Sequence, residues 1–294
     1  VLKATKPDVG RGNHGIFLSL NRGFSAPINL HLDRSTDDLV HIARHDSDLF
    51  ARWQALNDLI LPVLMEGARD VRDGGTVTCP PAVISALIEI AGNDALEPAF
   101  RAQVLALPSE ADIARELGSN NDPDAIHTAR TTVLTAVAEA GRPVFQHLFD
   151  TMENGAGFSP DAASAGRRAL RNSALGYLTY AEQSPVRAAE AFASADNMTD
   201  LVQALSVLAH RFPEAEEADA ALGAFVTRFD DNPLVIDKWL SVQATIPGAG
   251  ALDRVKALME NRHFVASNPN RVRALVGSFA FSNPTGFNPA AGQG

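Results

Sequence analysis

The sequence predicts an all-α protein, a HEAT/armadillo-like helical array that winds into a superhelix and is preceded by one or two β-strands. From residue 34 onward, apolar residues recur at helical spacing in one segment after another. The connections between these segments are short and contain Pro, Gly, Asn and Asp. Strand-like patterns are confined to the first 33 residues. Many helices of about ten to twenty residues with brief connections are typical of stacked helical repeats.

The strand signal lies in "GIFLSLNRGFSAPINLHLD", residues 15 to 33. Two short apolar runs are separated by turn residues at 21–23 and by Pro27, and apolar and polar residues alternate in the second run. Two strands do not form a stable sheet alone, so we expect them to pair with strands upstream of residue 1. After this stretch, from Ser35 onward, the apolar pattern changes to helical spacing.

The helical domain is predicted to begin at a capping box, because Ser35 is followed three residues later by Asp38. A helical apolar pattern then continues to about residue 70. Further helices are expected at 81–92, 98–106, 109–117, 122–139, 143–153, 160–182, 184–194, 197–211, 214–228, 232–245, 249–260 and 269–281. The tail at 282–294 is rich in Gly, Pro and Asn and lacks a capping helix, so we expect the domain to be truncated at its C-terminal end.

Composition excludes several classes of function. The formal charge of −10 over 294 residues argues against a nucleic-acid-binding protein, which needs a basic face to displace counterions. No apolar run approaches the length of a membrane span, so we expect no membrane partner. Cys79 is the only cysteine, which excludes an intrachain disulfide and a Cys-rich zinc site.

The sequence contains no recognisable catalytic or metal-binding motif. Neither a His-Glu-x-x-His helix nor a Gly-x-Ser-x-Gly elbow is present. His41 and His45 share a helix face in "HIARH", but no glutamate follows the first histidine, and we interpret them as an ordinary surface pair. Cys79 stands beside Pro80 and Pro81 without a neighbouring histidine, so we do not expect a nucleophile there. We therefore assign no catalytic and no metal-binding residue to this chain.

The segment "SNPNRVRALVGSF", residues 267 to 279, places two arginines where a helix resists positive charge. Asn268 and Pro269 read as the N-cap and first helical position. Arg271 and Arg273 then fall in the first turn, where the helix dipole is already positive. Either both arginines are solvated, or an anionic group lies near them.

Seven strings together resemble one family in their order and spacing: "RGFSAPINL", "RHDSDLFARW", "LPSEADIA", "RRALRN", "DNMTDLVQAL", "PLVIDKWLSVQA" and "SNPNRVRALVGSFAFSNPTGFN". They are similar to the C-terminal part of bacterial aminopeptidase N, a zinc metallopeptidase of the gluzincin group. The resemblance covers roughly residues 15 to 294.

The resemblance implies that residues 1–33 are a remnant of a β-sandwich domain and that residues 34–294 are most of a helical C-terminal domain. It implies that the zinc site lies upstream, so this chain would bind no cofactor and would be inactive alone. In the family the helical domain packs on the catalytic domain and forms the wall of an internal chamber that controls access of peptide substrates. The family resemblance also implies a cytoplasmic location.

By position in the family motif, Asn270, Arg271 and Arg273 are candidates for lining that chamber. Arg273 is the favoured residue, because a guanidinium at a helix N-terminus would attract a carboxylate or carbonyl oxygens. In the alternative interpretation, both arginines pair with acids such as Asp237 or Glu260 and hold adjacent helices together. A second hypothesis for the whole chain is a free-standing helical-repeat scaffold that binds proteins or peptides.

Overall fold

A computed structural model describes residues 18–26, 32–153 and 157–289. The predicted all-α helical array is confirmed: the described residues form helices and connections, and none of them is in a strand. The helices are α1 Thr36–His45, α2 Leu49–Arg72, α3 Pro81–Ala91, α4 Pro98–Leu105, α5 Glu110–Leu117, α6 Pro123–Thr151, α7 Ala162–Glu182, α8 Val186–Ser194, α9 Met198–Arg211, α10 Glu216–Arg228, α11 Pro233–Ala244, α12 Ala251–Met259, α13 Pro269–Val272, α14 Ser278–Ser282 and α15 Pro284–Phe287.

The two strands expected within residues 15–33 fall partly outside the described residues. In the described stretch 18–26, a 3₁₀ turn spans Arg22–Phe24 in place of a strand. Its backbone is joined to the loop between α1 and α2, because the Gly23 N–H donates to Asp48 Oδ2 at 2.9 Å. The division of the chain at residue 33 stays a prediction.

The capping box at the start of α1 is confirmed. The Asp38 N–H donates to Ser35 Oγ and the Ser35 N–H donates to Asp38 Oδ2, both at 3.1 Å. The sequence pattern from 35 to about 70 reads as one continuous helical run, but the structure divides it at 46–48. Asp48 causes the break, since its carboxylate accepts the Ala51 N–H at 2.8 Å and so caps a second helix.

The boundary predicted between helices at 122–139 and 143–153 is wrong. A single helix, α6, runs through Gly141 and Pro143. Proline removes one helical hydrogen bond, yet packing on both sides of it outweighs that loss, because Val137, Phe145 and Leu148 are fully buried. Gly141 is part of the reason, since a Cβ there would lie 2.6 Å from the Phe145 ring and 3.0 Å from Ile88.

The array has two main apolar cores in series. The first is built by α1 to α7 and the second by α8 to α14. A smaller cluster of Leu175, Ala191 and Ala204 lies where α7, α8 and α9 meet and links the two cores. The array is therefore continuous along the described chain, with each helix packed mainly on its neighbours.

Arginines recur as connectors between consecutive helices. A helix leaves its last carbonyls without backbone partners, and an arginine of the next helix donates its Nε–H to one of them. The pairs are Arg52 with Ala43 O at 2.7 Å, Arg101 with Ala91 O at 2.6 Å, and Arg171 with Phe149 O at 3.2 Å. Arg52 and Arg101 are buried in the first core, so these bonds fix how α2 follows α1 and how α4 follows α3.

Candidate functional site

The helix start predicted at Asn268 and Pro269 is confirmed. Asn268 Oδ1 accepts the Asn270 N–H at 3.0 Å, and Pro269 occupies the first helical position. The helix continues to residue 282, but its middle, Arg273–Gly277, is a π-helical turn. The Ser241 hydroxyl of α11 donates to Ala274 O at 3.0 Å, so a side chain from the neighbouring helix supplies a partner within this irregular turn.

Arg271 lies inside the fold. It is buried, and its guanidinium forms an ion pair with Asp237 and donates to Pro233 O at 2.7 Å. Both partners belong to α11, so Arg271 ties the start of α13 to that helix. These contacts agree with the alternative interpretation for Arg271, in which the arginine pairs with Asp237.

Arg273 and Asn270 lie on the opposite, exposed side of the same turn. The Arg273 Nη1 atom is 3.5 Å from Asn270 Oδ1, at the limit of a hydrogen bond. No carboxylate of the described residues lies within 4.0 Å of the Arg273 guanidinium, and Glu260 pairs with neither arginine. The structure therefore brings Asn270 and Arg273 together and separates Arg271 from them.

A cavity of about 890 Å³ opens beside this helix. It is lined by α5, the first turns of α6, the ends of α7 and α9, the connection after α11, and α14 with α15. Phe281, which is 87% exposed, stands at its C-terminal wall. The helix that presents Arg273 therefore also presents an exposed aromatic ring to the cavity.

Asn283 fixes the C-terminal wall of the cavity. Its amide donates to Ala244 O at 2.9 Å and to Ile246 O at 2.8 Å, which satisfies carbonyls at the end of α11. Its Oδ1 accepts the Gly286 N–H at 3.0 Å and so caps α15. Because α15 also packs against α6, the C-terminal helices face the N-terminal part of the array across the cavity.

The charged side chains and histidines of the cavity wall come from α5, α6 and α9. Glu110 lies 2.8 Å from His127 Nδ1, and Arg115 pairs with Asp112 at 2.6 Å. Burial lowers the pKa of His210, which favours the neutral imidazole. Its Nε2–H is assigned to donate to Val242 O, at 3.2 Å, with Thr245 Oγ1 also 2.9 Å away.

The described residues offer no site for a bound metal and no activated thiol. Within 18–26, 32–153 and 157–289, no group of three or more His, Cys, Asp or Glu side chains could hold a metal ion. The rings of His41 and His45 are 4.8 Å apart on α1, as the helical spacing predicts. Burial raises the pKa of the Cys79 thiol to about 11, which disfavours the thiolate.

In the part of the chain that the structure describes, no helix is both long enough and apolar enough to cross a membrane.

The cavity was missed by reasoning from the sequence. Its walls come from segments that are up to about 180 residues apart, and no local pattern brings them together. A weak signal was present in Arg211, because the residues three and four positions before it in α9, Leu208 and Val207, are not acidic. That signal alone does not indicate a cavity.

The fold of the described residues defines a helical-repeat domain. The chain belongs to the family described as "Domain of unknown function (DUF3458_C) ARM repeats", whose model matches residues 36–294. The armadillo-like array predicted from periodicity agrees with that description.

The chain is also similar to named aminopeptidases. It is 40% identical over 281 residues to aminopeptidase N of Caulobacter vibrioides, covering 94% of this chain and 32% of that protein. It is 32% identical over 278 residues to aminopeptidase N of Escherichia coli, covering 92% of this chain and 31% of that protein. The chain thus spans about a third of the length of these relatives.

Among solved structures, the chain is similar to the crystal structure of Legionella pneumophila aminopeptidase A in complex with aspartic acid. The TM-score is 0.81 at 28% identity, and the match covers 94% of this chain and 33% of that chain. Together the comparisons support a C-terminal domain of an aminopeptidase, as the seven sequence strings predict.

Proposed function

We propose that this chain is the non-catalytic helical domain of a zinc aminopeptidase and forms part of the wall of the chamber that peptide substrates enter. The observation on which this rests is the exposed pair of Asn270 and Arg273 on a helix whose Phe281 lines a large cavity. The named relatives support the peptidase assignment. Arg273 lacks a carboxylate partner among the described residues, so its charge is free to attract a peptide carboxylate or carbonyl oxygens.

In this proposal the two arginines have different tasks. Arg271 holds the turn on α11, and Arg273 faces the chamber with Asn270 beside it. Because the guanidinium of Arg271 already satisfies Asp237 and Pro233, the shape of the turn does not depend on substrate. A preorganised side chain loses less conformational entropy when a ligand binds.

The zinc ion belongs to the upstream catalytic domain in this proposal, where it would activate the water that attacks the first peptide bond. The present chain would then contribute positioning and restricted access, would pack on the catalytic domain, and would be inactive alone. We propose a cytoplasmic location on the basis of the resemblance to bacterial aminopeptidase N.

The test is kinetic and uses the full-length enzyme. Arg273→Ala should raise KM, or lower kcat/KM, for short peptides by about threefold to tenfold, as expected for one lost charged contact at a solvated site. The melting temperature should stay close to that of the wild type, because Arg273 is exposed. Arg228→Ala, which removes an exposed arginine at the end of α10, is the matched control.

Two results would count against the proposal. Unchanged kinetics together with a lower melting temperature would assign Arg273 a purely structural role. Hydrolysis of an aminoacyl chromophore by this chain alone, with stoichiometric zinc, would place a catalytic centre within the helical domain.

A further inference from the structure

The cavity has a positive wall although the whole chain is acidic. The formal net charge is −10, yet the wall contains Arg115, Arg130 and Arg211 and a single carboxylate, that of Glu110. Glu110 is engaged by His127, and Arg115 is neutralised by Asp112. No carboxylate of the described residues lies within 4.0 Å of the guanidinium of Arg130 or Arg211. These two charges are therefore left without an acidic partner in the described chain.

Arg211 is held in place by an aromatic ring. The centre of its guanidinium lies 3.7 Å from the Tyr180 ring centroid, which is a close cation–π contact. Its Nε is buried and has no hydrogen-bond acceptor among the described residues. Stacking covers one face of the guanidinium, and its Nη atoms make no hydrogen bond to the described residues, so their N–H groups are available to a carboxylate.

Arg130 is positioned in a different way. Its Nε–H donates to Pro108 O at 3.0 Å, and its Nη atoms make no hydrogen bond to the described residues. Burial raises the pKa of Tyr177, and the nearby positive charge of Arg130 offsets part of that rise. Tyr177 and Tyr180 belong to the last turns of α7, so Arg130 and Arg211 approach the same end of that helix from α6 and α9.

We propose that Arg130 and Arg211 bind the C-terminal carboxylate of a short peptide within this cavity. A volume of about 890 Å³ lies in the range of cavities that hold small ligands. Apolar side chains such as Ala114, Ile126 and Phe281 line the remaining wall and would contact the peptide side chains. Guanidinium groups bind carboxylates in a planar, bidentate manner, which suits a chain end better than an internal peptide group. This inference rests on the proposed function, because it takes a peptide as the ligand of the helical domain.

A structural role for Arg211 is the competing account. As the last residue of α9, it interacts favourably with the helix dipole, and it packs on Tyr180 whether or not a ligand is present. That account explains the position of the side chain. It does not explain the positive wall around it, and it predicts no preference between ligands.

The experiment compares two ligands that differ in one group. The probes are N-acetyl-Ala-Ala-Phe with a free carboxylate and the same peptide as its C-terminal amide, and the acetyl group prevents cleavage. Binding to this chain is measured by isothermal titration calorimetry. The free acid should bind about tenfold more tightly than the amide, which corresponds to one charge-assisted bond. Arg211→Gln and Arg130→Gln should each remove most of that preference.

Arg115→Gln is the matched control, because Arg115 lines the same cavity but is already paired with Asp112 and has a 69% exposed side chain. It should change the affinity for the free acid by less than about twofold. Circular dichroism checks that each variant folds. If Arg211→Gln does not fold, the test relies on Arg130→Gln, because the only hydrogen bond that Arg130 makes to the described residues is the one to Pro108 O. Equal binding of acid and amide by the wild type, or an unchanged preference in both variants, would overturn the proposal.

The outcome also separates this inference from the proposed function. Loss of the carboxylate preference in the cavity variants, with normal peptide kinetics for Arg273→Ala in the full-length enzyme, would support the site and contradict the chamber role of Arg273. If the free acid binds no better than the amide and Arg273→Ala impairs peptide hydrolysis, the carboxylate site is rejected and the chamber role of Arg273 is supported. Tight binding of acetate alone, equal to that of the free-acid peptide, would reject a peptide as the ligand.

Discussion

The guanidinium of Arg271 and the carboxylate of Asp237 form an ion pair that joins the first turn of α13 to α11. The side chains are 9% and 21% exposed, so the pair is largely removed from water. Arg271 also donates to Pro233 O, a carbonyl of the first turn of α11. This pair fixes the direction of the helix that carries Arg273 two residues later.

Arg271→Ala should lower the free energy of unfolding by about 3 kcal/mol, because it leaves a largely buried carboxylate without its partner. Urea denaturation of this chain measures the effect. Arg273→Ala, two residues away and exposed, is the control and should change the free energy of unfolding by less than about 0.5 kcal/mol. Equal effects of the two substitutions would contradict the division of tasks between the arginines.

The start of this helix could be predicted from the sequence, but which of its two arginines is buried could not. Asn268 and Pro269 are local signals of an N-cap, and the structure confirms them. Arg271 and Arg273 flank the apolar stripe on opposite sides, and both are equally compatible with the local pattern. Which one is buried depends on where α11 lies, and that position is set by tertiary packing.

The division of the chain into helices could be predicted to a similar extent. Capping residues marked the beginning of α1, and the periodicity marked most later segments. Near Asp48 the sequence pattern indicates one helix where the structure has two, and near Pro143 it indicates two helices where the structure has one. A capping carboxylate ended a helical pattern that was continuous in periodicity, and packing around Phe145 carried α6 through a proline. Local propensity is a weak signal where long-range burial decides the outcome.

Gly141→Ala tests whether close packing explains the continuity of α6. An added Cβ would lie 2.6 Å from the Phe145 ring, so the substitution should lower the free energy of unfolding by about 1–3 kcal/mol through overpacking. Urea denaturation measures it. This result is opposite in sign to the effect of alanine in an uncrowded helix.

Gly223→Ala in α10 is the matched control for that experiment. Nothing lies within 4 Å of a Cβ at this position. The substitution should raise the free energy of unfolding by about 0.5–1 kcal/mol, because alanine is the better helix former. A stabilising effect of Gly141→Ala would show that the contact at Ile88 and Phe145 relaxes without cost.

Cys79 should be unreactive in the folded chain. Burial raises the pKa of its thiol to about 11, and the side chain packs against the first core. Near pH 7, labelling by iodoacetamide should be about a hundredfold slower in the folded protein than in urea, because the thiolate is the reacting form. Mass spectrometry of timed samples measures both rates. Similar rates in the two states would mean that the loop before α3 opens readily.

His210 should make the stability of the chain depend on pH. Burial lowers its pKa in the folded state below the unfolded value of about 6.5, so the unfolded state binds more protons between the two values. The stability that comes from the neutral imidazole is therefore fully present above the unfolded pKa and is lost as the pH falls through the folded pKa. The neutral ring keeps its contacts with Val242 and Thr245, whereas protonation requires a buried charge.

His210→Gln removes this titration, so the destabilisation that it causes should be smaller near pH 5.5 than near pH 7.5, values on either side of the unfolded pKa of about 6.5. Urea denaturation of wild type and variant at both pH values gives the two differences. Exposed His147 in α6 provides the matched substitution, His147→Gln, which controls for the loss of an imidazole at a solvent-exposed position. If His210→Gln lowers the free energy of unfolding by the same amount at both pH values, the imidazole supports the packing of the cavity wall, and its protonation is not linked to folding.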